Sequence, residues 1–255
     1  MTHVPGDLDH ALLRAAAEPA YRPEFFRQLL SATVYVLGTA GADGREPRIQ
    51  RWRKKDGSVV IPFFSSLAAL GEAQGETAEP YLDLPARRLF EATRGTALVL
   101  NPASRAGKEF HPEEIAAILE TGVNHRTAER AVATSTEVLL GQPATMPEAL
   151  IAALRKFFAE QPAVQAAYLA LMHDPSAGQR PNLVVGVAVE GAFDQLVRQA
   201  GAVAADTAPA GEAVDFIQVV EGETGLSEYL RTKVAPFYER PRKSRWASLF
   251  GSRTS

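Results

Sequence analysis

The sequence predicts an α+β protein of two small domains, each with a mainly antiparallel sheet and helices. Runs of alternating β-branched and aromatic residues are interleaved with runs of helical periodicity along the chain. The pair Asp56-Gly57 joins two such alternating runs, which indicates a β-hairpin. The 255 residues exceed the ~150 of an average domain, and apolar periodicity stops at 123–136. Together these observations favour two domains over one.

Capping residues and periodicity define the elements of the first half. Pro23 and Pro112 suit the first turn of a helix, where no backbone N–H is needed, and Gly95 and Gly122 end helices. In chain order we predict a helix at 7–18, a helix from Pro23, strands at 32–38, 48–55 and 58–64, a short helix from Ser66, a helix at 85–93, a strand at 96–100 and a helix at 112–120.

The second half has a clearer element order. We predict strands at 137–140, 164–173, 182–190 and 214–220, and helices at 147–161, 192–204 and 226–234. Without the last helix this order is β-α-β-β-α-β, which is typical of ferredoxin-like domains. Each of the first two helices is expected to cover one face of a four-stranded antiparallel sheet.

These elements give a division of the chain into five parts. We predict an N-terminal arm at 1–22, a first domain at 23–122, a linker at 123–136, a second domain at 137–239 and a tail at 240–255. The tail carries five Lys or Arg residues and no acid, whereas the whole chain is slightly acidic, with 27 Lys and Arg against 30 Asp and Glu. The overall charge of -3 therefore argues against a general polyanion-binding protein.

Composition also excludes several kinds of chemistry. The chain has no cysteine, so disulfides, zinc ribbons, iron–sulfur clusters and thiolate nucleophiles are ruled out. No apolar run approaches the ~18 residues of a membrane span, and the first residues do not resemble a signal peptide. We therefore expect a cytoplasmic protein.

No motif indicates catalysis, a cofactor or a metal. Gly38, Gly41 and Gly44 follow a strand, but a phosphate loop needs a helix next, and an alternating strand follows instead. A turn between antiparallel strands is the favoured interpretation. The five histidines lack metal-ligand spacing, and no nucleophile elbow is present. We accordingly predict a protein that is not an enzyme.

A basic strand with an aromatic residue is the first candidate for partner binding. The candidate residues are Arg48, Arg51, Trp52, Arg53 and Lys54. Alternation places Arg48, Trp52 and Lys54 on one face, with Arg51 and Arg53 on the other. Such a strand suits a protein partner. Nucleic-acid binding through this strand is a further hypothesis, ranked below protein interaction and small-molecule sensing. The simpler interpretation is an edge strand that its charges protect from aggregation.

The tail is the second candidate for partner binding. It mixes positive charge with apolar residues at Arg242, Lys243, Arg245 and Trp246. This combination suits an anionic membrane surface or a partner groove. An unstructured tail without a partner is the default interpretation.

Several short motifs resemble the SseB (enhanced serine sensitivity) family. They lie at 23–38, 56–66, 100–104, 107–115 and from 138–143 to 236–238. The hairpin from Asp56 runs into a turn in which Ser65 stands where the family usually has Thr. The segment 100–104 matches the family's Asn-Pro-x-Ser turn. The resemblance covers nearly the whole chain except its termini, and it identifies 23–122 and 137–239 with the family's N-terminal and C-terminal domains.

The resemblance implies a link to serine tolerance but supplies no catalytic residue. We therefore predict a non-catalytic protein-interaction or regulatory factor connected with amino-acid physiology. The alternative is a sensor that binds an amino acid or another small molecule through a ferredoxin-like second domain, although fold analogy is a weak warrant for function.

Overall fold

The computed structural model forms two compact units, and the structure is described for most but not all of the chain. The described residues are 7–41, 47–104, 107–124, 138–173 and 181–241. The first unit comprises residues 1–130 and 194–208, and the second comprises 131–193 and 209–255. Each unit has one mixed sheet, which confirms the α+β class. The domain boundaries given above stay predictions.

The first unit contains a seven-stranded sheet. Its strands are β1 (Thr33–Thr39), β2 (Arg48–Ile49), β3 (Trp52–Arg53), β4 (Val59–Phe64), β5 (Tyr81–Pro85), β6 (Ala97–Leu100) and β7 (Lys108–Phe110). The strand order is β2-β1-β4-β6-β7, with β5 also paired to β1 and β3 to β4. The β4–β6 pair is parallel and the other pairs are antiparallel.

Helices cover the two faces of this sheet unequally. The helices of this unit are α1 (Asp7–Ala17), α2 (Arg22–Ser31), α3 (Leu67–Gln74), α4 (Ala86–Ala92), α5 (Pro112–Thr121) and α7 (Phe193–Thr207). Val34 and Val36 of β1 point into the main core, where residues of α1, α2, α4 and α5 bury a cluster of phenylalanines. Leu37 belongs to a smaller cluster on the opposite face, against Leu70 of α3.

The predicted strand at 48–55 is divided into two short strands. β2 pairs with the end of β1, Ile49 opposite Gly38, while β3 pairs with the start of β4, Trp52 opposite Val60. Gly38 permits the first contact because its φ is 153° and a Cβ there would collide with the Arg48 carbonyl oxygen. Gly38 therefore serves an antiparallel pairing, as expected, and the predicted loop beyond it falls largely on residues 42–46, outside the described part.

The second unit contains a five-stranded sheet. Its strands are β8 (Leu139–Gly141), β9 (Val164–His173), β10 (Asn182–Val189), β11 (Val214–Gln218) and β12 (Tyr238–Glu239), and its helices are α6 (Glu148–Ala159) and α8 (Leu226–Lys233). The strand order is β11-β10-β9-β12, and β8 also pairs with β9. The β10–β11 pair is parallel and the others are antiparallel.

This pairing does not confirm the ferredoxin-like topology. A split β-α-β unit separates its two parallel strands by another strand. Here the parallel strands β10 and β11 are direct neighbours, and β8 runs antiparallel beside β9. The elements follow one another along the chain in the predicted β-α-β-β-α-β order, but α7 is grouped with the first unit. The strands also pair differently, because the same order of elements is compatible with more than one pairing.

Close packing of α8 against the sheet fixes one glycine in β10. A Cβ at Gly186 would lie 2.5 Å from Leu230 Cδ1 and 2.8 Å from Val219 Cγ2. Leu230 and Val219 belong to a core cluster that includes Ala170 of β9. Gly186 thus lets α8 approach the sheet more closely than a larger residue would allow.

Short strands account for most of the elements that the sequence did not predict. β5 follows a stretch rich in Gly and Glu, β7 has three residues, and β12 has two. The predicted helix at 85–93 begins one residue later, because Pro85 ends β5. Such short segments carry too few residues for a periodic pattern.

Candidate functional site

Trp52 packs on the face of the first sheet that carries α3. It is half-buried in the smaller cluster, whose fully buried members include Leu37, Phe64 and Leu70. The α1 and α2 helices lie on the opposite face, against Val34 and Val36. The tryptophan is therefore not covered by the N-terminal helices and keeps part of its indole accessible.

Two more aromatic side chains lie on the same face of the sheet as Trp52. Tyr35 of β1 packs against the same cluster, and Tyr81 of β5 contacts Tyr35 edge-on with ring centroids 5.9 Å apart. Tyr81 is 46% exposed. We call Tyr35, Trp52 and Tyr81 the aromatic face. Large aromatic surfaces with a polar end are favoured at protein interfaces.

One hydrogen bond connects the indole of Trp52 to the side chain of Gln50, which is itself hydrogen-bonded to other segments. Trp52 Nε1 donates to Gln50 Oε1 at 3.3 Å, and Gln50 Nε2 donates to Glu79 Oε2 at 2.9 Å. The Gln50 backbone N–H also donates to the Leu37 carbonyl oxygen at 2.9 Å. Gln50 therefore connects the tryptophan to β1 and to the segment before β5, which limits the orientations available to the ring.

Lys54, one of the predicted binding residues, forms ion pairs with two carboxylates. Its ammonium donates to both Glu109 oxygens at 2.9 and 3.1 Å and lies 3.9 Å from an Asp56 oxygen. The hydrogen bond from Lys54 to Glu109 raises the pKa of Lys54. Arg53 is similarly engaged, since its Nη1 donates to the Gly57 carbonyl oxygen of its own hairpin at 3.1 Å. Lys54 therefore connects its hairpin to β7, and Arg53 contacts its own hairpin.

Arg48 and Arg51 are the more accessible of the predicted basic residues. Both are exposed, and neither makes an ion pair with any residue that the structure describes. Since Ile49 packs against the main core and Arg48 pairs with Thr39, two residues from Leu37, Arg48 points to the side of the aromatic face. The structure thus brings Arg48 and Trp52 to one side, as alternation predicts.

The tail residues among the candidates are not covered by the structure. Arg242, Lys243, Arg245 and Trp246 lie outside the described residues. Arg240, which precedes them, is an integral part of the second unit. Its Nε donates to the Val164 carbonyl oxygen at 2.7 Å, and its Nη2 donates to that of Gln161.

A second polar cluster, which the sequence analysis missed, joins three distant segments. Ser65 Oγ donates to Asp9 Oδ1. Asn101 Nδ2 donates to Ser65 Oγ at 2.7 Å and lies 3.4 Å from the same Asp9 oxygen, while the Ser65 backbone N–H donates to Asn101 Oδ1 at 3.0 Å. The cluster connects α1 to the carboxyl ends of the parallel strands β4 and β6.

The local backbone explains why these residue types occur in the cluster. Asn101 is 4% exposed and has a φ of 47°, a left-handed conformation that asparagine tolerates better than most residues. Ser66, next to Ser65, caps α3 by accepting from the Ala69 N–H at 3.2 Å. The sequence held one signal for this cluster: Ser65 lies in the short motif at 56–66, and Asn101 lies in the one at 100–104.

The arrangement of this cluster fits a structural role better than a chemical one. The amide of Asn101, the hydroxyl of Ser65 and Asp9 Oδ1 are all engaged with one another. A serine nucleophile needs a base that is itself oriented towards it and an oxyanion site nearby. We therefore interpret Asp9, Ser65 and Asn101 as a connection that fixes α1 on the sheet.

A groove of about 410 Å³ between α1 and α2 is a further candidate site. Its lining includes the Arg14 guanidinium, which lies 3.8 Å from the centre of the Tyr21 ring. Glu24 accepts from Arg27 at 2.8 and 2.5 Å and from Gln28 Nε2 at 2.7 Å. The hydrogen bond from Arg27 lowers the pKa of Glu24. The groove thus presents charges of both signs.

The described residues contain no group of three or more histidines and carboxylates placed to hold a metal ion. Over the same part of the chain, no helix is both long and apolar enough to span a membrane.

The fold and the aromatic face define a two-unit α+β protein with an exposed candidate interaction surface. Residues 8–117 match the SseB protein N-terminal domain, and residues 132–240 match the SseB protein C-terminal domain. Protein SseB of Escherichia coli (strain K12) is 36% identical over 254 residues, covering 98% of this chain and 96% of that protein. Protein SseB of Shigella flexneri gives the same identity and coverage. The chain belongs to the SseB family.

No solved structure matched the chain.

Proposed function

We propose that this chain is a non-catalytic protein-interaction factor that binds its partner at the aromatic face. The observation that carries this proposal is the half-buried Trp52, whose indole donates to Gln50, on the same sheet face as Tyr35 and the exposed Tyr81. A solvated edge strand needs charge but has no need of an oriented indole. Aromatic residues of this kind commonly contribute most of the binding energy of an interface.

Charge at the margin of the aromatic face favours a particular kind of partner segment. Arg48 lies on the same side as Trp52 and is exposed. An arginine can bind a carboxylate with two hydrogen bonds, so a segment with an apolar anchor and an acidic residue fits this surface. A role of such binding in amino-acid physiology is part of the proposal and follows from the family resemblance.

Site-specific photo-crosslinking in cells tests the proposal. A photoreactive amino acid at Tyr81 is expected to capture a discrete protein, and Trp52→Ala is expected to remove that adduct. The same amino acid at Leu13 is a matched control, because Leu13 is 55% exposed on α1 and lies away from the aromatic face. Trp52→Ala is expected to cost less than the ~3–5 kcal/mol of a fully buried aromatic residue.

Two outcomes would contradict the proposal. One is an identical set of adducts from positions 81 and 13, which would indicate random collisions. The other is an unchanged adduct at Tyr81 in a folded Trp52→Ala protein, since the indole would then have no part in binding.

Small-molecule binding is a second candidate, favoured by one specific observation in the groove between α1 and α2. Gln28 lines this groove, and its Oε1 is buried and accepts no hydrogen bond from the described residues. A buried acceptor without a donor is costly, so a ligand with an N–H or O–H group would be favoured. Calorimetric titration with serine and related amino acids tests this candidate. Binding that Gln28→Leu weakens at least tenfold would support it, and the absence of measurable heat in the unmodified protein would refute it.

A further inference from the structure

The outer edge of β11 is an unpaired sheet edge in the second unit. Among the described residues β11 pairs with β10 alone, so its other edge has no backbone partner there. The strand reads Val-Asp-Phe-Ile-Gln over Val214–Gln218. Its side chains are half-buried up to Ile217, and Gln218 is exposed.

The parallel pairing with β10 decides which backbone groups point outward. Leu183 N donates to Ala213 O at 3.3 Å, and Val219 N donates to Val187 O at 2.9 Å. In a parallel ladder, alternate residues bond to the same neighbour. Positions 213, 215, 217 and 219 therefore face β10, and the N–H and C=O groups of Val214, Phe216 and Gln218 face outward.

The other edge strands among the described residues are protected in ways that β11 is not. β2, β3 and β12 have two residues each, β7 and β8 have three each, and β7 also carries Lys108. β5 is preceded by Pro80 and ends at Pro85. Short length, prolines and lysines are the usual protections of edge strands. β11 has five residues, with neither proline nor a basic residue.

We infer that β11 pairs with the same strand of a second copy of this chain. An antiparallel pair with its two-fold axis beside Phe216 places Phe216 opposite Phe216 of the partner subunit, and Val214 opposite Gln218 of the partner subunit. These are the outward-facing residues, so each opposed pair exchanges two backbone hydrogen bonds. The strand is therefore complementary to itself in this register.

The same register avoids repulsion between like charges. Asp215 is the one charged residue of β11, and it lies opposite Ile217 of the partner subunit instead of another carboxylate. The pairing joins the two five-stranded sheets into one continuous sheet, with a self-complementary interface as expected for two-fold dimers. This inference is independent of the aromatic face.

Light scattering of the full chain gives the first test. The unmodified protein is expected to have twice the chain mass of 27.5 kDa. Gln218→Pro removes one outward-facing N–H from an exposed position and is expected to give the single-chain mass. Gln218→Ala is the matched control, because it keeps that N–H, and it is expected to remain a dimer.

Cysteine crosslinking tests the register, because the chain itself contains no cysteine. Phe216→Cys places two Cα atoms about 5.5 Å apart, within the range of a disulfide, so mild oxidation with diamide is expected to link the two chains. Gln218→Cys is the control, because its two copies would lie about 14 Å apart along the strands and are expected to stay unlinked.

The inference would be overturned by a single-chain mass for the unmodified protein at all concentrations. A dimer that Gln218→Pro leaves intact would also overturn it, as would equal crosslinking at positions 216 and 218. If Phe216→Cys fails to fold, the light-scattering comparison at position 218 still decides the question. Failure of this dimer would leave the partner proposal for the aromatic face unaffected.

Discussion

Substitution of Asn101 by alanine tests the connection between α1 and the first sheet. The change removes the amide that donates to Ser65 Oγ at 2.7 Å and accepts from the Ser65 N–H at 3.0 Å. It also places alanine at a φ of 47°, where a Cβ without a compensating polar group is unfavourable. Since Asn101 is 4% exposed, water cannot readily replace the lost partners.

The expected loss of unfolding free energy in Asn101→Ala has two parts. A buried N–H left without an acceptor costs about 1–3 kcal/mol. A left-handed alanine costs about 1–2 kcal/mol more. We therefore expect Asn101→Ala to lower the free energy of unfolding by about 2–5 kcal/mol. Asn101→Gly is the matched control: it loses the same hydrogen bonds without the penalty of a Cβ at positive φ, so its loss is expected to be about 1–2 kcal/mol smaller.

Urea unfolding followed by tryptophan fluorescence measures both variants. The chain has two tryptophans, so a Trp246→Phe background leaves Trp52 as the reporter of the first unit. A loss below about 0.5 kcal/mol for Asn101→Ala would be typical of an ordinary surface change and would refute the structural role of the cluster. Equal losses for alanine and glycine would refute the contribution of the backbone conformation.

Three further predictions concern other parts of the chain. Gly186→Ala is expected to destabilise the second unit by about 1–3 kcal/mol through overpacking against Leu230, measured by thermal unfolding, and an unchanged midpoint would contradict the packing argument. The lowered pKa of Glu24 means that the ionised carboxylate stabilises the fold at neutral pH, and that this stabilisation is lost as the pH falls through the folded-state pKa. Because the Glu24–Arg27 pair is exposed, the effect is small: the free energy of unfolding, measured by urea at a series of pH values, is expected to fall slightly less in acid for Glu24→Gln than for the unmodified protein. The same pH profile for both proteins would exclude this contribution. Limited proteolysis is expected to cut within 123–136 before it cuts the β9–β10 hairpin, and the reverse order would exclude a linker there.

Elements with a long periodic pattern were predicted well from the sequence. β4, β9 and β10 and the helices α2 and α6 lie within or close to the predicted ranges, because their patterns repeat over enough residues. The proline at the start of α5 and the glycine after it also gave its position. These features are local, since they depend on residues within one or two turns of each other.

The surroundings of the candidate site were only partly predictable. Alternation correctly placed Arg48 and Trp52 on the same side. It gave no information on whether Trp52 would be covered, because that depends on α3, which lies later in the chain, and on Gln50, which orients the indole. The carboxylate that neutralises Lys54, Glu109, is likewise far away in sequence.

The sequence by itself determined the α+β class, the order of the long elements and the membership of the SseB family. Only the tertiary structure decided that β10 pairs directly with β11. It also decided that the predicted basic strand splits into β2, which pairs with β1, and β3, which pairs with β4. The contacts among Asp9, Ser65 and Asn101 were likewise set by the tertiary structure. Hydrophobic periodicity reports which face of an element is buried but not against which neighbour. The neighbour is set by packing between segments that are far apart in the sequence, and a local hydrophobic pattern does not specify which distant segment will pack against it.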